Sequence, residues 1–133
     1  MSIINDRHNI SDIAYICSCA VNGAIPKQEG YLTTLDFDLL YDVAEKHMLA
    51  ALVGLPLNRA GISSPQFQNA VALAQRKTVI LNNDMKNVTV ALEAAGIWYM
   101  PLKGAVLKDL YPHFAMREMA DTDIYLIPHK RKN

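Results

Sequence analysis

The sequence has little cysteine, no excess of charge and no long apolar run. It has two cysteines, and 13 Lys and Arg residues are balanced by 13 Asp and Glu residues. Zero net charge argues against a broad attraction to nucleic acid or an anionic membrane, because both require a basic surplus or face. No apolar run approaches the roughly 20 residues that span a bilayer, and residues 1–8 lack the basic and apolar regions of a signal peptide. We therefore expect a cytoplasmic protein with neither a membrane nor a nucleic acid as its partner.

The two cysteines do not form a structural framework. Cys17 and Cys19 are two positions apart, so on a helix they point about 200° from each other and can neither form a disulfide nor share a metal. We expect two reduced, buried thiols. Stability must then come from a hydrophobic core, and a chain of 133 residues with 51% hydrophobic content is large enough to form one.

Apolar residues spaced three and four apart predict helices in the first two-thirds of the chain. A first helix is predicted over about residues 10–21 and ends at Asn22-Gly23. Thr33 or Thr34 is expected to cap a second helix. Residues 48–57 are almost wholly apolar, and we expect a kink or break at Pro56 because its ring clashes with a continuing helix.

The longest predicted helix covers residues 65–95. Ser64 and Pro65 give a cap followed by a proline at the first helical position, and Gly96 ends the helix. Its apolar positions alternate steps of four and three, as in a coiled-coil seam. The seam consists of Phe67, Val71, Ala74, Leu81, Met85, Val88, Leu92 and Ala95, with Thr78 filling the one gap. We expect this helix to pack antiparallel on the others rather than to form a true coiled coil.

The last third of the chain changes character after Gly96. β-Branched and aromatic residues predict strands over residues 97–102 and 124–127, with a short helix over residues 105–110 between them. The sequence therefore predicts a mostly helical α+β protein with a helical region over residues 1–95. Residues 96–133 form the start of a second region that contains the sheet.

The candidate chemistry lies around these two strands. Asp121 and Asp123 are two apart, so on an extended strand their carboxylates point to the same face, where a divalent cation such as Mg²⁺ would offset their repulsion. Gly104 follows a strand and precedes a helix, which lets a phosphate approach the backbone. Lys103 and Arg117 are cations available for phosphate oxygens. Each of these features alone is weak evidence for a functional site. Their order along the chain is more specific than any one of them.

Leu102-Lys103-Gly104, Leu110-Tyr111-Pro112, Arg117 and Asp121-Thr122-Asp123-Ile124 resemble the signature of the bacterial uncharacterised nucleotidyltransferases. These belong to the polymerase-β-like nucleotidyltransferase superfamily. The resemblance implies that residues 96–133 are the first strands of a nucleotidyltransferase-type sheet. It also implies transfer of a nucleoside monophosphate from an NTP to an unknown acceptor hydroxyl. Asp121 and Asp123 would be the catalytic, metal-binding carboxylates for Mg²⁺ or Mn²⁺, and Lys103, Gly104 and Arg117 would bind the nucleotide phosphates.

The sequence departs from the superfamily pattern in one respect. Superfamily enzymes carry a third carboxylate on a later strand, whereas the residues after Asp123 include no Asp or Glu. We therefore expect a chain truncated after the D-x-D strand, weak metal binding and impaired activity. The alternative is a non-catalytic helical interaction or oligomerisation module, which the seam of the long helix favours.

We predict a homodimer that forms through the C-terminal strands or the long helix. Two short strands make a marginal sheet, and pairing their free edges across a twofold axis satisfies the backbone groups that would otherwise be unpaired. Sedimentation equilibrium tests this prediction, which a monomer at all accessible concentrations would contradict. A dimer that survives Ile124→Lys would assign the interface to the helix.

Overall fold

Helices make up most of the structure, and a small sheet follows them. The computed structural model describes residues 3–27, 30–119 and 121–128, with side chains from residue 10 onward. The elements are, in order, α1 (Ile3–Val21), α2 (Phe37–Lys46), α3 (Ala50–Arg59), α4 (Pro65–Ala94), β1 (Tyr99–Leu102), α5 (Gly104–Leu107) and β2 (Asp123–Leu126). Short 3₁₀ turns cover Leu32–Thr34 and Lys108–Leu110. The predicted mostly helical α+β fold is confirmed.

Helix α3 lies at the centre of the helical core. It packs against α1, α2 and α4, and every residue from Ala50 to Leu57 is buried. Gly54 allows α4 to come close, since a Cβ at this position would lie 2.8 Å from Val71 Cγ2 and 3.0 Å from the Phe67 carbonyl oxygen. Both cysteines are free, with Cys19 buried and Cys17 half-buried, and burial raises the pKa of the Cys17 thiol.

Pro56 does not break the helix that contains it. Helix α3 continues past Pro56 to Arg59, and the chain reverses earlier, around Met48, whose φ is +56°. A proline inside a helix costs about 3 kcal/mol or more. Burying a leucine or valine side chain contributes about 1.5–3 kcal/mol, and α3 buries Leu52, Val53, Leu55 and Leu57. Core packing therefore outweighs the local preference on which the expected break was based.

Two other helix starts differ from the predictions, and local hydrogen bonds explain the one at α2. Asp36, rather than Thr33 or Thr34, caps α2, and its Oδ1 accepts a hydrogen bond from Leu39 N at 3.2 Å. The two threonine hydroxyls instead donate to the carbonyls of Gly30 and Tyr31, at 3.0 and 2.7 Å, within the 3₁₀ turn. Helix α1 begins at Ile3, well before the predicted start near Ile10.

Only the first half of the α4 seam is buried. Phe67, Val71, Ala74 and Thr78 are buried, whereas the seam residues from Leu81 onward are half-buried or exposed. The reason is length, because α4 has 30 residues and α3 has 10. At 1.5 Å per residue these helices are about 45 and 15 Å long. The second half of α4 thus extends beyond the helical core. No helix in the described ranges is long and apolar enough to cross a membrane.

The two strands form an antiparallel pair at the end of α4. Leu102 pairs with Asp123 and Tyr99 with Leu126. The first strand starts later than predicted because Ile97 N donates to the Leu92 carbonyl at 2.9 Å, in the turn that ends α4 at Gly96 (φ +67°). Tyr99 Oη donates to Glu93 Oε1 at 2.7 Å, which links β1 to α4. This hydrogen bond raises the pKa of Tyr99.

We predict that Gly54→Ala destabilises the protein by about 1–3 kcal/mol, the usual range for an overpacked core. Helix propensity alone predicts the opposite, because alanine is better than glycine inside a helix by about 1 kcal/mol. Urea unfolding followed by circular dichroism measures the difference. Asn58→Ala, at an exposed site of the same helix, is the control and should change stability by less than about 0.5 kcal/mol. A stabilised Gly54→Ala variant would show that α3 and α4 do not pack closely there.

Candidate functional site

The candidate site is built around the turn between β1 and α5. Lys103 occupies this turn with φ +47° and ψ −118°, a conformation that non-glycine residues rarely adopt. Such a backbone costs about 1–3 kcal/mol and persists only where its surroundings hold it. Here the Lys103 carbonyl accepts hydrogen bonds from Val106 N at 3.0 Å and Leu107 N at 2.9 Å. The turn is therefore held in one conformation by α5.

The pairing of the strands brings Asp123 next to this turn. Asp123 begins β2 opposite Leu102, the last residue of β1, so its neighbour Lys103 is within reach. Lys103 Nζ lies 3.3 Å from Asp123 Oδ2, and the two side chains are 78% and 44% exposed. An exposed ion pair contributes about 0–1 kcal/mol, so its importance lies in the position of the charges rather than in stability.

Asp121 lies just before the strand that Asp123 begins. Strand β2 starts at Asp123, whereas Asp121 precedes it and is exposed. The two-residue alternation of side chains holds along an extended strand. It therefore gives no reason to expect the two carboxylates on a common face here.

Gly104 and Arg117 lie against each other. A Cβ at Gly104 would lie 3.3 Å from Arg117 Nε, 3.6 Å from Arg117 Nη2 and 3.1 Å from Met119 Sδ. A larger residue at position 104 would therefore require the Met119 or Arg117 side chain to move by a few tenths of an ångström. Arg117 Nε is buried and has no hydrogen-bond partner among the described residues. Because an unpaired buried N–H costs about 1–3 kcal/mol, this atom is suited to receive an acceptor from a ligand.

Residues 111–119, which we call the anchor segment, fix Arg117 to the helical core. Ala115, Met116 and Met119 are buried. Ala115 packs with Ala51 and Ala74, and Met116 packs with Leu52, Leu55 and Val71. The segment just before the D-x-D motif is therefore part of the core that α3 and α4 build. The sequence-based division at residues 95 and 96 remains a prediction.

Glu118 adds a hydrogen bond that the sequence analysis missed. Its Oε1 accepts from Ala51 N at 3.2 Å, in the first turn of α3. Leu49, the residue at the cap position of α3, makes no side-chain capping bond. Early helical N–H groups need an acceptor, and Glu118 supplies one from 67 positions further along the chain. The sequence signal for this bond was the leucine at the cap position of α3. Its side chain cannot accept a hydrogen bond from the first N–H groups of the helix, so the acceptor must come from elsewhere.

The described residues offer few ligands for a metal. No group of three or more His, Cys, Asp or Glu side chains in the described ranges is placed to hold a metal ion. The two carboxylates predicted as metal ligands are those of Asp121 and Asp123, and Asp123 already faces one cation, the Lys103 ammonium. Around the turn the structure thus brings together Lys103 with Asp123 and Gly104 with Arg117.

Comparison with known proteins gives one match. The sequence model of a family described as uncharacterised nucleotidyltransferase matches residues 33–132. The matched range includes α2 to β2 and all five candidate site residues. No curated protein and no solved structure matches the chain.

We predict that Glu118→Ala lowers the free energy of unfolding by about 0.5–2 kcal/mol, the usual effect of losing a helix cap. Glu118→Gln should lose less, because its amide oxygen still accepts a hydrogen bond. Asp109→Ala, which removes an exposed carboxylate near α5, is the control. Equal urea-unfolding midpoints for Glu118→Ala and Asp109→Ala would show that the Glu118–Ala51 bond does not anchor the segment.

Proposed function

Because the chain belongs to the uncharacterised nucleotidyltransferase family, we propose that it transfers a nucleoside monophosphate from an NTP to an acceptor hydroxyl. The hydroxyl oxygen forms a bond to the α-phosphorus, the bond from that phosphorus to the oxygen bridging to the β-phosphate breaks, and the hydroxyl proton passes to solvent water. Pyrophosphate leaves. The observation that carries the proposal is the cluster at the β1–α5 turn, where two cations, a glycine and a carboxylate lie together within the matched range.

The phosphates would bind at this turn. We propose that Gly104 faces the phosphates, because glycine adds no side chain of its own beside the backbone N–H. The Arg117 guanidinium borders the same space, with nitrogen atoms 3.3 and 3.6 Å from the position of a Cβ. Its unpartnered Nε is a buried donor, and hydrogen bonds from a charged donor to phosphate are among the stronger ones. Lys103, with its exposed ammonium, is the second phosphate ligand that we propose.

Asp121 and Asp123 would hold Mg²⁺ or Mn²⁺. Carboxylate oxygens are the ligands that these cations prefer, and the ion pair with Lys103 supports the proposal that the Asp123 carboxylate is available to a positive charge. The bound ion would neutralise charge on the phosphates as the leaving group departs. Two carboxylates leave most of the coordination shell to water and phosphate, so we expect weak metal binding without nucleotide.

The chain's own residues would act by positioning and charge. Phosphoryl transfer needs the two reacting oxygens in line and the charge on the phosphates offset. The anchor segment holds Arg117 against Gly104 while β1 holds Asp123 beside the turn. The rival idea of a non-catalytic helical module accounts for none of this cluster, and the family match does not favour it.

We predict that Mn²⁺ alone binds weakly and that a non-hydrolysable ATP analogue strengthens its binding. We expect a gain of at least about tenfold, which corresponds to 1.4 kcal/mol, the size of one charge-assisted hydrogen bond. Calorimetric titration with and without the analogue measures the gain. The Asp121→Ala/Asp123→Ala variant should bind no Mn²⁺.

The control for this prediction is the Asp84→Ala/Asp109→Ala variant, which removes the same charge at exposed positions of α4 and the second 3₁₀ turn. It should bind Mn²⁺ as the parent protein does. Mn²⁺ binding that survives in Asp121→Ala/Asp123→Ala would contradict the assignment of the metal site. A parent protein whose Mn²⁺ affinity does not respond to the analogue would contradict nucleotide binding at that site.

A further inference from the structure

The Lys103–Asp123 ion pair joins two residues to which the proposed function gives different ligands. Lys103 Nζ lies 3.3 Å from Asp123 Oδ2. A divalent cation bound to that carboxylate would be strongly repelled by an ammonium at hydrogen-bond distance from the same carboxylate. The repulsion energy of two like charges rises as the distance between them falls. The lysine and the metal therefore compete for Asp123.

We infer that Lys103 is an exchangeable counter-ion: its ammonium occupies the cation position at Asp123 in the nucleotide-free protein and moves to the phosphates when metal and nucleotide bind together. The inference rests on the proposed function, which assigns the metal to Asp123. It makes Lys103 both an inhibitor of metal binding in the free protein and a ligand in the complex. A structural ion pair or a simple phosphate ligand would have only one of these effects.

The geometry of Lys103 permits the exchange. Its side chain is 78% exposed, so the ammonium can leave Asp123 through solvent without crossing a packed region. The ion pair itself is weak because both partners are hydrated. The backbone of Lys103 is held in its left-handed conformation by the bonds from Val106 and Leu107 to its carbonyl. The exchange is therefore a rotation of side-chain bonds, which exposed residues complete within nanoseconds.

The position of the turn supplies the second destination. Lys103 immediately precedes Gly104, and the Arg117 guanidinium lies beside this glycine, at the proposed phosphate position. One side chain can thus reach Asp123 in one rotamer and a phosphate at Gly104 in another. Loss of the ammonium from Asp123 and its gain at the phosphate occur together, which couples metal binding to nucleotide binding.

The test compares Mn²⁺ affinity in the parent protein and in Lys103→Met, with and without a non-hydrolysable ATP analogue. Free Mn²⁺ is measured by electron paramagnetic resonance. Without the analogue, Lys103→Met should bind Mn²⁺ about two- to fivefold more tightly, as expected for removing an exposed competitor. With the analogue it should bind about tenfold more weakly, because a charge-assisted bond to phosphate is lost. The two effects have opposite signs.

Two further variants make the result specific. Lys108→Met removes a nearby positive charge that contacts Asn82 rather than Asp123, and any change it causes measures the general effect of charge. Lys103→Arg keeps the charge and should retain weak binding of Mn²⁺ alone. It also shows whether position 103 tolerates substitution, since circular dichroism of each variant reports its fold.

The outcomes separate this inference from the proposed function. If Lys103→Met and Lys108→Met change the affinity for Mn²⁺ alone equally, or if Lys103→Met weakens binding in both conditions, the exchange is wrong while the metal site stands. If Asp121→Ala/Asp123→Ala binds Mn²⁺ as the parent does, the metal site of the proposed function is wrong, and the exchange that depends on it is wrong as well. Opposite shifts in Lys103→Met that are absent from Lys108→Met support the exchange.

Discussion

The burial of the anchor segment in the helical core is the constraint on which the candidate site depends. A two-stranded sheet is marginal on its own, and β1 and β2 bury little surface, since most of their side chains are half-buried or exposed. Their position relative to the helices is set by Ala115, Met116 and Met119, together with the bond from Ala51 N to Glu118. The helices thus take part in the site by fixing the segment that carries Arg117.

Arg117 and Glu118 show how one short segment serves two purposes. They are adjacent in sequence, yet Arg117 lies against Gly104 at the turn while Glu118 bonds to the first turn of α3. A negative charge is favourable at the start of a helix. The carboxylate of Glu118 therefore suits the bond to α3, and the Arg117 guanidinium lies at the turn. If the anchor segment detached from the helical core, Arg117 would no longer be held against Gly104. Glu118 itself is not proposed to contact any ligand.

The sequence predicted those features that depend on nearby residues. Pro65 and Gly96 mark the ends of α4 because their backbone preferences are local, and the same holds for the turn that precedes β1. The order Lys103-Gly104, Arg117, Asp123 lies within the range that the family model matches, and its role as a site stays a prediction. The fate of Pro56 could not be predicted, because it depends on burial between α1 and α4. The contact of Gly104 with Arg117 likewise depends on how residues 13 positions apart fold back.

The anchoring of Met119 and the pairing of Asp123 with Leu102 restrict how the length of this stretch can vary among related proteins. Met119 is held in the core and Asp123 is held across from β1, four residues later. Substitutions between them leave both attachments in place. A single inserted or deleted residue would shift β2 by one position against β1, and every side chain of the strand would turn to the opposite face. The carboxylate would then leave the turn although no functional residue had changed. Relatives that use the same turn should therefore vary in composition at positions 120 and 122, on either side of the proposed metal ligand Asp121, but conserve the number of residues between Met119 and Asp123.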